Sequence, residues 1–168
     1  MPTPVGHALG ALLLTAPLRA RFGWRGTAAA AAIASAAVAP DLDLLIGRHS
    51  AETHSLGAAM LAGAVVFAGL RIRAHPHAGR WAIVIACAVA SHALLDWLGT
   101  DTSAPIGIMA LWPFSRAFVE SDLHLFMAVS RRYWLSEFWA YNVTVLAREL
   151  LTLGVPALVA EWWLRRRR

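Results

Sequence analysis

Trp81-Ala82-Ile83-Val84-Ile85-Ala86-Cys87-Ala88-Val89-Ala90-Ser91-His92-Ala93-Leu94-Leu95-Asp96-Trp97-Leu98 is apolar throughout except at Ser91, His92 and Asp96. A helix crossing the hydrocarbon core of a bilayer needs roughly 20 such residues, so residues 81–98 read as a membrane helix. His92 and Asp96 stand four apart and share one face of it, close to its end. Ionisable groups inside an apolar helix are costly and are ordinarily kept for function. The plainer reading is a local hydrogen bond between the two, and the choice depends on what else reaches the same level.

Residues 5–18, 27–39, 55–70 and 142–164 have the same Ala- and Leu-rich character. Apolar residues fill 58% of the 168 positions and the mean hydropathy is +0.55, beyond the roughly 45–50% of a soluble domain. The expected fold is all-α, a single membrane-embedded domain over residues 1–168. It is a polytopic helical bundle with about five membrane helices. The first two segments are short for a span, which extension into the flanks, tilt or burial in the bundle makes up. Residues 98–142 mix Trp, Pro, Ser and charge, and are expected at the interface as loops and one or two amphipathic helices. Trp112, Trp134, Trp139, Trp162 and Trp163 suit an aromatic belt. Residues 5–18 lack a basic flank before them, so they read as mature helix, not as a cleavable signal.

All fifteen basic residues are arginine, and the net charge is +5. Binding of nucleic acid would need a polar basic face that this composition does not supply, so no direct nucleic-acid contact is expected. The partner to expect is the lipid bilayer, whose anionic headgroups suit the arginine run at 165–168. Arg19, Arg21 and Arg25 fill the first loop and Arg71, Arg73 and Arg80 the third. Alternation through five spans puts these and the arginine tail on one side, which the positive-inside bias makes the cytoplasm. The start of the chain, residues 40–54 and residues 98–142 then share the non-cytoplasmic side, with Arg48, Arg116, Arg131 and Arg132 as exceptions. The single Cys87 excludes a disulfide framework and a Cys-based zinc pair.

On this topology His7, the Asp41 and Asp43 of Pro40-Asp41-Leu42-Asp43, His49, His54, His92 and Asp96 all fall at the same, non-cytoplasmic ends. Chance is a poor account of four segments delivering imidazoles and carboxylates to one level. Each motif has a blander use. Asp-x-Asp after Pro40 serves to cap or turn, Thr53 or Ser55 to cap the third helix, and His7 as a satisfied core imidazole. Taken together they form a mixed His/Asp set that suits a divalent metal, zinc first, with manganese or magnesium accommodated by the carboxylates. Bound metal brings water to a near-neutral pKa, and a pair of ions stabilises both oxygens of a phosphoester displacement, so hydrolysis is the expected reaction.

Gly6-His7, Pro40-Asp41-Leu42-Asp43, His49 with Thr53-His54-Ser55, Ser91-His92-Ala93-Leu94-Leu95-Asp96 and Leu111-Trp112-Pro113 follow one another in an order that resembles the YdjM-like family. That family comprises membrane-bound metal-dependent hydrolases, some described as LexA-binding and inner-membrane-associated. The resemblance covers about the first 115 residues. The family is in turn distantly similar to zinc-dependent phospholipase C and the S1/P1 nucleases. It implies a bacterial inner membrane, one to three metal ions, and a phosphoester substrate such as a phospholipid headgroup. By position it implies His7, Asp41, Asp43, His54, His92 and Asp96 as metal ligands, with His49 and Asp43 in catalysis. Leu44 and Ser50 depart from it, standing where many members have His and Arg.

His75 and His77 lie in the arginine-rich third loop and read as solvated. Asp101, Glu120, Asp122 and His124 lie on the site's side, where an extra ligand is one use and a polar surface the commoner one. Arg148 and Glu149 are adjacent in the last helix and so face different neighbours. An intramembrane metalloprotease is disfavoured because His-Glu-x-x-His is absent and His49 and His54 are five apart. The competing class is a non-catalytic membrane protein that binds metal or a regulator. A carrier needs ligands near the midplane with access from both sides, whereas these ligands gather at one face.

Overall fold

Thr3 opens the first helix, its hydroxyl accepting from the Gly6 amide at 3.0 Å. Helix α1 spans Pro4–Phe22 and ends at Gly23, whose left-handed φ of 72° only a glycine takes without strain. The computed structural model describes residues 1–47 and 49–166; Arg48, Arg167 and Arg168, counted above in the arginine pattern, lie outside the described residues. Helix α2 spans Thr27–Val38 and tightens into a 3-10 turn over Ala39–Ile46. Pro40 at the head of that turn lacks the amide hydrogen that an α-helix would use there. Asp41 and Asp43 therefore ride on a continuation of α2, not on a free loop.

A short 3-10 turn, Glu52–His54, precedes α3 over Leu56–Ile72, where Ser55 caps the helix by accepting from the Ala58 amide at 3.0 Å. Helix α4 spans Ala78–Trp97, and α5 over Phe138–Glu149 passes through a π turn, Leu150–Gly154, into α6 over Val155–Arg166. Among the described residues three stretches are long and apolar enough to cross a membrane: Thr27–Leu45, Ala78–Trp97 and the 29-residue Phe138–Arg166. Leu56–Ile72 is apolar but shorter. The last helix starts four residues before the expected Asn142.

Helix α4 is the centre of the bundle and touches α1, α2 and α3. Ala11, Ile33, Ala37, Val84 and Ala88 are fully buried where α1, α2 and α4 meet. Small side chains let the backbones close up, as is usual where apolar helices pack without a hydrophobic drive between them. Gly63 of α3 is an example, since a Cβ there would come within 3.0 Å of the Ala82 carbonyl and of Ala86. The outer faces stay bare, Met60 on α3 at 60% and Leu151 at 71% exposure, as lipid-facing surfaces require.

Between Trp97 and Phe138 no helix forms among the described residues, which corrects the expected amphipathic helices there. Side chains capture the backbone instead. Asp101 accepts from the amides of Ser103 and Gly107, Ser115 from Ala117, Ser121 from Leu123 and Ser130 from Arg132. Such local bonds compete with helix formation. Single backbone pairings order the stretch, where Thr100 donates to Phe126 at 2.8 Å, Leu125 to Leu98 at 2.7 Å, and Ile108 and Val119 pair both ways, and Ser121 donates to Trp97 of α4 at 2.9 Å. The carbonyls of Ala110 and Trp112 accept from the Leu56 and Gly57 amides at the exposed start of α3.

Candidate metal centre

His7 sits in the first turn of α1, Asp41 and Asp43 on the turn after α2, His54 just before α3, and His92 and Asp96 in the last turns of α4. One end of the bundle therefore holds all of them. Its opposite end holds Arg19, paired through both terminal nitrogens with Glu161, the Trp24–Trp81 ring contact and Arg80 over the Phe22 ring.

Asp96 is the hub. Its Oδ2 lies 3.1 Å from His92 Nε2 and 3.4 Å from His54 Nε2, and its Oδ1 lies 3.3 Å from His7 Nε2. Asp41 Oδ1 stands 3.7 Å from both His54 Nε2 and His92 Nε2. Two donors at zinc-ligand bond lengths around a tetrahedral ion are about 3.4 Å apart, so these separations match a ligand shell. His7 and His92 stack at 3.7 Å between ring centroids. His7, His54, His92 and Asp96 are each at most 1% exposed. Both nitrogens of His7, the Nε2 atoms of His54 and His92, and both Asp96 oxygens have no hydrogen-bond partner. Buried polar atoms are almost always satisfied. The orphaned His7 Nε2, His54 Nε2, His92 Nε2 and Asp96 oxygens gathered together are what a cation would satisfy, and the residues fit one.

The outward side of His49, His54 and His92 is organised as metal ligands require. His92 Nδ1 lies 2.7 Å from the Ala37 carbonyl. A carbonyl only accepts, so Nδ1 holds the hydrogen and Nε2 keeps its lone pair for an ion. Asp43 does the same for His49, with Oδ1 3.0 Å from its Nδ1, while Oδ2 accepts from the Thr53 hydroxyl at 2.6 Å and lies 3.2 Å from His54 Nδ1, which Thr53 Oγ1 also meets at 3.0 Å. Asp41 and Asp43 can face different ways because two residues on a 3-10 turn are about 240° apart. Burial opposes a charged His54, yet its contacts with Asp41 and Asp43 and the charge of Asp96 raise it to about 9. A proton there stands in for a cation, and a metal would compete with it.

Among the described residues three donor sets have their ligand atoms within 4.8 Å of one another: His7–Asp41–His92, Asp41–His49–His54, and His54–His92–Asp96. Every expected ligand except Asp43 belongs to one of them; Asp43 lies behind the rings with both oxygens engaged. Asp101, Asp122 and His124 belong to none. Asp101 pins its own loop, and His124 faces Glu120 at 3.7 Å on the surface. A residue whose part sequence reasoning left unspecified is Glu149. Its carboxylate takes the Thr3 amide at 2.7 Å and the Thr3 hydroxyl, so it fastens the turn of α1 that carries His7. Gly6 permits this, since a Cβ there would fall 2.8 Å from the Glu149 carboxyl carbon. A buried carboxylate in an apolar helix was the available signal.

Asp41 and His49 open onto a cleft of about 650 Å³. Its far wall is Ser130, Arg131 and Arg132 together with Phe138 and Tyr141 of α5. The cleft thus gives the donors at Asp41 and His49 a route to a solute or a headgroup.

The YdjM inner membrane protein family matches residues 1–165, well past the first 115 on which the motif resemblance rests. The chain belongs to that family. No curated protein and no solved structure matches it, so the distant similarity to phospholipase C and the S1/P1 nucleases is not shown.

Proposed function

We propose that this member of the YdjM inner membrane protein family is a multi-pass, divalent-metal-dependent hydrolase of a phosphoester, such as a phospholipid headgroup, with its site at the non-cytoplasmic face. One observation carries the reading: the convergence of orphaned, buried His and Asp donors on one another beneath an open cleft. The arginine bias supports the orientation, because Arg19, Arg21, Arg25, Arg71, Arg73 and Arg80 gather at the end away from the site. Helices α1, α3 and α5–α6 run away from the site end and α2 and α4 toward it, as five passes would.

The donor sets limit the number of ions. His49, His54 and His92 each have Nδ1 engaged, leaving one lone pair apiece, and a lone pair serves one ion. The set His54–His92–Asp96 shares a ring with each of the others and excludes both. His7–Asp41–His92 and Asp41–His49–His54 share only Asp41. His7, Asp41, His49, His54, His92 and Asp96 would together hold up to two divalent ions, zinc being the best match.

When bound, divalent ions here would activate water near neutral pH and offset the charge that develops on a phosphoester's oxygens. The chain's own residues do the rest. Asp43 is a positioning residue that holds His49 and His54 in the ligating tautomer. His49 is the imidazole nearest the cleft, and Asp43 behind it fixes the ring's orientation there. The apolar packing of α1, α2 and α4 beneath keeps water from the inner side.

The test is metal analysis of the detergent-purified protein beside Asp41→Ala and His92→Ala, with turnover measured on a panel of phosphoesters and phospholipids. Two ions per chain and turnover are expected in the native protein, and loss of both in the variants. Retained metal with unchanged turnover in both variants would overturn the reading. Tightly bound metal without turnover of any substrate would favour the non-catalytic, metal-binding role.

A further inference from the structure

Arg131 and Arg132 are two adjacent, exposed residues without a carboxylate partner among the described residues, and they line the same cleft as Asp41 and His49. The cleft's other acidic groups are engaged elsewhere: Asp101 by the Ser103 and Gly107 amides at 3.0 Å each, Glu137 by the Ser136 hydroxyl at 2.6 Å. The loop bearing the arginines is built, not loose. Asn142, a polar residue in the longest apolar helix, accepts from the Ser130 amide at 3.0 Å and donates to the Ser130 carbonyl at 3.0 Å. Ser130 Oγ in turn accepts from the Arg132 amide at 3.3 Å. This fixes where the two side chains start, which is what recognition of a planar or tetrahedral anion needs. The two arginines also share the bundle end that the other described arginines of the helix termini avoid.

We infer that Arg131 and Arg132, held over the cleft by Asn142, are the recognition site for a phosphate group presented to the His–Asp cluster. The inference rests on the proposed hydrolase reading for what happens to that phosphate, but recognition is read by binding alone. A phospholipid headgroup and a soluble phosphoester offer the same chemistry. The lipid has an additional route, because Phe138 and Tyr141 line the same cleft and would flank its acyl chains.

The experiment uses the full-length, metal-loaded protein in detergent, titrated by calorimetry with dioctanoyl phosphatidic acid, dioctanoylglycerol, glycerol 3-phosphate and inorganic phosphate. Phosphate release is followed in parallel. The native protein is expected to bind phosphatidic acid at least about tenfold more tightly than the phosphate-free diacylglycerol. The double variant R131Q/R132Q should lose that preference with its metal content unchanged, while R116Q keeps it. Asn142→Leu, which leaves both arginines but frees their loop, should weaken binding several-fold. Binding of phosphatidic acid alone assigns a lipid source, and equal binding of glycerol 3-phosphate or phosphate a soluble one; both support the site. Equal affinity in R131Q/R132Q and native protein, or no discrimination against diacylglycerol, overturns it. Binding with this pattern but without phosphate release would remove the hydrolase reading and leave the recognition site standing.

Discussion

Replacing Asp43 with asparagine keeps the side chain's volume and removes one acceptor oxygen. In the native protein the two oxygens serve Thr53 at 2.6 Å, His49 Nδ1 at 3.0 Å and His54 Nδ1 at 3.2 Å. An amide offers one oxygen, so its NH₂ must face a ring N–H. The clash is relieved when that ring moves its hydrogen to Nε2, which consumes the lone pair meant for the ion. Loss of such an orienting partner lowers metal affinity by about 10–100-fold, or about 1.4–2.7 kcal/mol. The loss should fall on one ion only. His92 Nδ1 is held by the Ala37 carbonyl at 2.7 Å, independently of Asp43, so the His7–Asp41–His92 ion should keep its affinity. Zinc titration by calorimetry, or competition with a chromophoric chelator, should resolve one native and one weakened step in Asp43→Asn, with two ions still bound at saturation. A change below about twofold in both steps, or an equal loss in both, would refute the assignment of Asp43 as a positioning residue for His49 and His54.

Metal removal should destabilise the protein: with each ion present at a hundredfold its dissociation constant, its contribution is about 2.7 kcal/mol, seen as a lower thermal midpoint in chelator that zinc restores. At the other end, Glu161→Gln leaves fully buried Arg19 without its carboxylate, a loss of roughly 3–5 kcal/mol for a broken buried pair. The midpoint should fall while metal content stays at two, and Arg19→Leu with Glu161→Leu should recover most of it. Reporters fused after Arg25 and at Thr102 should mark opposite compartments, with Thr102 outside; a shared compartment would disprove the five-pass arrangement.

The apolar runs and their near-span lengths were legible from composition, because membrane helices announce themselves by what they exclude. So was the delivery of His7, Asp41, His54, His92 and Asp96 to one end: with short loops, helix direction alternates, and chain order alone decides which ends meet. What lay beyond reach were relations between atoms on segments far apart in the chain. That Asp41 faces the donors while Asp43 backs the rings depends on a 3-10 turn after α2, set by Pro40 and its packing. The irregular course of residues 98–137 arose from local side-chain bonds that outcompete an amphipathic pattern. Glu149 fastening α1, and Asn142 fastening the loop of Arg131 and Arg132, are contacts across 146 and 12 positions. Periodicity tells which solvent a residue meets; only the packed chain determines which atom it meets, because a hydrogen bond or a metal shell is satisfied within tenths of an ångström.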